Sequence, residues 1–208
     1  MTTLLIITGP QGSGNHLFSK IFALHPDVRG WSALLDEYWI GHDQEPFAEC
    51  WTDPTKLKNI PWRETKFWVT SISCPYADHG VVTVPDYEAF INAVIELGVD
   101  VKVGIIGRDT NILYSQQQRV RDRISLGDFT EPLKFLGAQS LYFLSQELVY
   151  LYREYYLKSL SEVIDFPIRW YDSRLAEILK NDPNTKYFRP VEPQQLDVVV
   201  RKVSGLTE

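Results

Sequence analysis

Apolar residues follow two different rhythms along this chain, and the change from one to the other marks its elements. Leu4-Leu5-Ile6-Ile7 is an unbroken apolar run, as in a strand buried on both faces. Leu17, Phe18, Ile21, Phe22 and Leu24 then recur at helical spacing, and His25-Pro26 ends that helix. His16 and Lys20, one turn apart, share a separate face of it. Lys66 to Ser73 predicts a second strand. Asp86 predicts the cap of a helix whose Phe90, Ile91, Val94, Ile95 and Leu97 keep a 3.6-residue period, Gly98 stops it, and Val101 to Ile106 follows as a central strand. Strand, helix and strand in this order imply an α/β fold with a parallel sheet.

The rest of the chain is read by the same rules. Residues 31–63 mix tryptophans, prolines and acids without a period, which predicts short helices and loops able to shape a substrate site. From about Leu133 to Leu160 runs the longest helical pattern, with Leu141, Leu144, Leu148, Leu151 and Tyr155 on one stripe that reads as core packing. Phe166 to Trp170 predicts a short strand, and Asp172 or Ser173 a cap for a helix through Leu179, closed by Asp182-Pro183-Asn184. No repeat or domain boundary is visible, so residues 1–208 read as a single domain.

The first strand runs directly into Gly9-Pro10-Gln11-Gly12-Ser13-Gly14-Asn15-His16. Gly9 and Gly14 have the spacing of a phosphate loop, but Asn15 and His16 stand where lysine and a hydroxyl residue usually follow. A triphosphate enzyme uses that lysine to neutralise the outer phosphates and that hydroxyl to hold magnesium. What remains is backbone N–H groups at a helix N-terminus, backed by the helix dipole, which suit an anion needing less neutralisation than ATP.

Composition narrows the partners. With 21 basic and 27 acidic residues the net charge is −6, which argues against a general nucleic-acid or anionic-membrane surface and leaves a local pocket for any anion. The opening Met1-Thr2-Thr3 has no basic residue and the apolar run after it is too short for a secretory or spanning segment, so a cytoplasmic location is expected. Cys50 and Cys74 have no partner at metal-ligand spacing and read as buried reduced thiols.

Three segments together resemble the sulfotransferases that use 3′-phosphoadenosine 5′-phosphosulfate (PAPS). Ser13-Gly14-Asn15-His16-Leu17-Phe18 is similar to their 5′-phosphosulfate loop, and His25-Pro26-Asp27-Val28-Arg29 to the tyrosylprotein branch. Ile105-Ile106-Gly107-Arg108-Asp109 with Ser115 resembles the 3′-phosphate motif, and Ile168-Arg169-Trp170-Tyr171-Asp172-Ser173-Arg174-Leu175 the family's Arg-Tyr-Glu-Asp-Leu segment. The resemblance implies a three-layer fold like that of the phosphate-loop NTPases, with a central parallel β-sheet flanked by helices. It further implies sulfuryl transfer from PAPS, leaving adenosine 3′,5′-bisphosphate, to a hydroxyl or amine of a small-molecule, carbohydrate or peptide acceptor, with no metal. The donor would be held by Gln11, Gly12, Ser13, Gly14, Asn15 and His16, with Arg108 and Ser115 on its 3′-phosphate. A guanidinium suits bidentate phosphate binding.

The chain also departs from that pattern. Gly12 stands where the family offers lysine or arginine to the bridging oxygen, and His16 or Lys20 is left to supply the charge. Ser115 is one residue nearer Arg108 than usual, so Gln116 competes for its role. The branch's catalytic glutamate pair is replaced by Ser32 and Ala33; Glu37 or Asp36, with His16, are the candidates for proton transfer, and His42, Asp43 and Glu45 lie just beyond. A phosphate-loop kinase using magnesium and ATP, and a nucleotide-binding protein without catalysis, are the competing readings.

Overall fold

The computed structural model describes residues 1–37, 40–78, 81–121, 123–137 and 139–187. Its centre is a five-stranded, wholly parallel sheet in the order β2-β3-β1-β6-β7, formed by Val28–Arg29 (β2), Phe67–Cys74 (β3), Thr3–Pro10 (β1), Asp100–Gly107 (β6) and Ser140–Ser145 (β7). Tyr76–Asp78 (β4) and Val81–Thr83 (β5) make a separate antiparallel pair. Leu4 to Ile7 are completely buried because β1 is covered on both faces: Leu4 and Ile6 point into one core, Leu5 and Ile7 into the other.

The first core is closed by Ala48–Thr52 (α2), Tyr87–Glu96 (α3) and Thr130–Leu136 (α5), through Trp51, Phe90, Ile91, Val94 and Leu136. Trp51 stacks on Phe90 with ring centroids 3.7 Å apart. The second core is closed by Asn15–Ala23 (α1), Gln146–Ile164 (α6) and Leu175–Ile178 (α7), through Phe18, Phe22, Val149, Leu160, Ile164 and Leu175. Helix, sheet and helix make a three-layer α/β architecture, with the parallel sheet that the apolar rhythm implied and the three layers that the family resemblance implied.

Asp86 caps α3 by accepting from the Ala89 N–H, and Gly98 leaves the helix with φ of +74°, both as the sequence indicates. Among the described residues of 31–63 the elements are indeed short: 3-10 turns at Ser32–Leu35, His42–Gln44 and Pro54–Asn59, and α2.

Two expectations fail. The helix expected from Leu133 to Leu160 is instead α5, strand β7 and α6, because Leu141 and Leu144 lie on a strand that pairs with Val103 and Ile106 of β6. Leu151 and Tyr155, expected in the core, are 70% and 85% exposed. Phe166 to Trp170 is not a strand but an irregular segment that buries Phe166 and Ile168 against α1 and β3, and Asp172 turns back to accept from the Arg174 N–H ahead of α7.

Candidate functional site

β1 is the point where the strand order turns, with β3 on one side and β6 on the other, so the loops after β1 and β6 face one crevice. The first loop is held tightly. The Ser13 N–H donates to the Pro10 carbonyl (3.0 Å), while Gly12 and Gly14 take φ of +89° and +120°, a region that favours glycine. The Asn15 amide donates to Ser73 Oγ (3.3 Å), pinning the start of α1 to β3.

Thr110–Arg121 (α4), which follows β6, braces the same loop. Gln117 is fully buried; its Nε2 donates to the Gln11 carbonyl (2.8 Å) and its Oε1 accepts from the Ser125 N–H (2.8 Å). Asp109 caps α4 through the Asn111 and Ile112 N–H groups, so its carboxylate is committed to the helix start.

Arg108 joins the two loops. Its Nη1 donates to the Gly12 carbonyl (2.6 Å) and to Gln116 Oε1, and its Nε to Asn184 Oδ1 (2.9 Å). Nη2 is buried without a partner among the described residues. Tyr187 covers the guanidinium at 5.8 Å and accepts from Arg119 through its hydroxyl. Burial lowers the Arg108 pKa, opposed by Tyr187, Glu147 and Asp182. Gln116, the alternative to Ser115, therefore sits against the loop, whereas Ser115 is exposed on the next position of α4. A second orphaned atom, Gln146 Oε1, lies where a Cβ on Gly14 would come within 3.1 Å of it.

On the other flank His16 donates through Nε2 to the Ile40 carbonyl (2.8 Å), which leaves Nδ1 as the unprotonated nitrogen of the neutral ring. Its ring meets Trp31 at 5.0 Å and His42 at 4.8 Å. Burial depresses the His16 pKa against the Ile40 bond, and burial, then the charges of His16 and Arg121, bring His42 down to about 4. Lys20, one turn from His16, donates to the Glu37 carbonyl (2.7 Å).

The carboxylates divide sharply. Asp36 and Glu37 are exposed, Asp36 close enough to Arg174 to favour its charge. Glu45 is 4% exposed and lies in a small cavity shared with His42, Ser71, Trp51 and Tyr76. Its Oε2 accepts from the Phe47 N–H (2.8 Å) and its Oε1 from the Ser71 N–H (3.4 Å), yet burial still pushes its pKa up to about 8. Because β2 pairs only with Phe67 and Trp68, the β3 edge beyond them is open, and Glu45 fills it. The His42 ring, touching both His16 and this cavity, links Glu45 to the loop.

Arg108, Gln11, Gly12, Ser13, Gly14, Asn15 and His16 are thus brought together, while Asp36 and Glu37 are exposed, Glu37 meeting α1 through its carbonyl. Gln117, Gln146, Asn184 and Tyr187 had no signal in the sequence, since a polar residue in a helix or a turn reads as ordinary surface. Glu45 was visible only as one acid among several. Among the described residues no group of three or more His, Cys, Asp or Glu side chains could hold a metal, and no helix is long and apolar enough to cross a membrane.

No protein-family model and no curated protein matches the sequence. Among solved structures the chain is similar to mouse sulfotransferase SULT7A1 complexed with PAP, at 13% identity over 99% of this chain and 85% of that one, with a TM-score of 0.46. It is similar also to the sulfotransferase domain of the Synechococcus PCC 7002 olefin synthase, at 13% identity over 95% of this chain and 86% of that one, with a TM-score of 0.47. Likeness at this level does not bear on the chemistry of this chain, which has to come from its own side chains.

Proposed function

We propose that this chain is a sulfotransferase, taking a sulfuryl group from PAPS to a hydroxyl or amine of a small-molecule, carbohydrate or peptide acceptor. One observation carries the reading: a glycine turn at a helix N-terminus, without a lysine of its own, stands against the half-buried Arg108, whose Nη2 is buried and has no partner among the described residues. The residues fit such a donor. The positive φ of Gly12 and Gly14 bends the loop tightly into the start of α1, and the orphaned Nη2 is a charge-assisted donor with nothing among the described residues to donate to. When bound, PAPS would supply a sulfuryl group whose bond to the 5′-phosphate oxygen breaks as a bond to the acceptor forms.

The protein's own contribution is anion binding, positioning and one proton transfer. Gln11 to His16 orient the anion, and Gln117 keeps that loop from relaxing. Glu45 is assigned the acceptor's proton ahead of Glu37 and Asp36, because it alone is buried and it shares its cavity with His42, which touches His16. A carboxyl titrating at about 8 is mostly protonated at neutrality, so it takes the acceptor's proton from its ionised fraction, which grows as pH rises towards 8 and is a stronger base than an exposed carboxylate. His16, neutral and tied to Ile40, holds His42 in place.

Calorimetric titration with adenosine 3′,5′-bisphosphate and with ATP, each with and without magnesium, tests the reading. Metal-independent binding of the bisphosphate is expected. A preference for magnesium-ATP would turn the assignment to a kinase, and binding of the bisphosphate without turnover over a broad acceptor screen would leave a nucleotide-binding protein.

A further inference from the structure

We infer that Arg121 binds the acceptor, and that the acceptor carries a single carboxylate besides the hydroxyl or amine that receives the sulfuryl group. The inference rests on the sulfuryl-transfer reading above and narrows its acceptor class.

α4 carries its last turn across the carboxyl end of the sheet. The helix starts beside β6, where Arg108 bonds to Gly12, and from its middle Gln117 Nε2 reaches the Gln11 carbonyl just beyond β1. Past the helix the chain comes down on β3, where the Cys74 thiol donates to the Asp128 carbonyl at 3.5 Å. Arg121 is the last residue of α4, one turn after the buried Gln117 and on the same face. That places it on the flank of the loop where His42 and the Glu45 cavity lie, and its charge acts on the His42 ring.

Arg121 differs from the arginines beside it. Arg119 Nη2 is engaged by the Tyr187 hydroxyl at 3.0 Å, and Arg123 Nη2 by the Asp128 carboxylate at 2.9 Å. Arg121 has no hydrogen bond or ion pair among the described residues, although the protein around it desolvates the guanidinium enough to lower its pKa. A cation partly withdrawn from water is unfavourable until an anion joins it. Part of the residue stays open to solvent, so a ligand can supply that anion.

One carboxylate fits this place. The guanidinium fork takes both oxygens of a carboxylate at once. A polyanion does not fit: the chain carries a net charge of −6, Lys20 on the same flank is held by the Glu37 carbonyl, and Asp43, exposed on the wall of the cavity, repels further negative charge. A bound acceptor spans His42, with its carboxylate on Arg121 and its hydroxyl or amine turned towards the glycine loop and Glu45.

The test compares acceptors that differ only in that charge. Wild type, Arg121→Met and Arg121→Lys, each saturated with adenosine 3′,5′-bisphosphate, are titrated with 4-hydroxybenzoate, 3-(4-hydroxyphenyl)propanoate and 3-hydroxybutanoate, and with the primary amide of each. The wild type is expected to bind a carboxylate about ten-fold or more tightly than its amide. Arg121→Met should erase that preference while leaving the amide and bisphosphate affinities unchanged, and Arg121→Lys should restore part of it. With PAPS present, Arg121→Met should raise KM for the carboxylate and not for the amide. Carboxylates that bind no better than their amides, or not at all, would overturn the inference, as would a preference that survives in Arg121→Met. A loss of bisphosphate affinity in Arg121→Met would overturn it too, by moving the residue to the donor. Failure of the wild type to bind the bisphosphate would overturn the sulfuryl-transfer reading itself, and the inference with it.

Discussion

Arg108 donates to the carbonyl oxygen of Gly12 across 2.6 Å, although 96 positions separate them in the chain. The parallel sheet makes this possible. β1 and β6 are neighbours paired from Thr3 with Asp100 to Thr8 with Ile105, so the loops leaving their carboxyl ends emerge side by side. One bond therefore ties the glycine turn proposed to bind the donor to the guanidinium at the end of β6. It also fixes what each residue can be: position 108 must be long, planar and charged, and position 12 must be free of a side chain.

Gly12→Ala should for that reason do more than strain the backbone. A non-glycine residue at such a φ costs roughly 1–2 kcal/mol. Gly98 has φ of +74° and no atom within 4 Å of an added Cβ, so Gly98→Ala isolates the strain alone. Thermal unfolding is expected to show a comparable loss for both variants. Titration with adenosine 3′,5′-bisphosphate should separate them, weakening only for Gly12→Ala, whose Cβ moves Gln116 off Arg108. Equal affinities in the two variants would mean that the Gln116 contact has no part in binding.

Glu45 and His42 give stability an opposed pair of pH dependences. The Glu45 carboxyl titrates at about 8 instead of its ordinary 4.5, so between those values the folded chain holds a proton that the unfolded chain has released, and stability falls as pH rises. His42 titrates at about 4 instead of 6.5, so the unfolded chain binds the extra proton and stability falls as pH drops through that window. The slopes, each at most about 1.4 kcal/mol per pH unit, cancel between about 4.5 and 6.5 and leave Glu45 alone above that. Melting curves from pH 6.5 to 8 should show the wild type losing stability relative to Glu45→Gln. Parallel curves would mean that the carboxyl is already ionised at neutral pH.

The sheet core and the glycine loop were legible because each is written locally. An unbroken run of four aliphatic residues with a glycine-rich turn just beyond it has few other meanings, and Asp86 and Gly98 mark both ends of α3. The β7 to α6 region was not, because Leu141, Leu144, Leu148 and Leu151 keep helical spacing across a strand-to-helix junction. The signal that would have split them is Ser145, whose hydroxyl accepts from the Leu148 N–H and caps α6. Within α6 the backbone leaves helical geometry at Arg153, with φ of +44°, and the buried positions Val149, Leu157, Leu160 and Ile164 follow a helical stripe other than that of Leu148, Leu151 and Tyr155. The Arg108 to Gly12 bond and the cavity of Glu45 depend on which strands are neighbours, which a local pattern does not encode.

That correction has a direct consequence for mutagenesis. Leu151→Ser and Tyr155→Ser remove side chains already in water and should change stability by no more than about 0.5 kcal/mol. Leu160→Ala empties a buried site between α6 and the sheet and should cost roughly 2–5 kcal/mol. Urea unfolding of the three variants distinguishes the two arrangements. A large loss at Tyr155 with a small one at Leu160 would restore the continuous stripe.

Gln117 offers a way to separate the loop's geometry from the scaffold that carries it. Both ends of its amide are used, at 2.8 Å to the Gln11 carbonyl and 2.8 Å from the Ser125 N–H, and the residue is fully buried. Gln117→Leu keeps the volume but leaves a buried carbonyl and a buried N–H unmet, each worth about 1–3 kcal/mol. The gain from a buried leucine, about 1.5–3 kcal/mol, offsets only part of that. A modest net destabilisation is therefore expected in urea, against none for Gln118→Leu on the exposed face of α4. The affinity for adenosine 3′,5′-bisphosphate should fall by more than the stability change alone implies, since the freed Gln11 carbonyl lets the turn between Pro10 and Ser13 rotate its N–H groups away from the anion. Unchanged affinity in a folded Gln117→Leu variant would show that the turn keeps its shape through the Ser13 to Pro10 and Arg108 to Gly12 bonds by themselves.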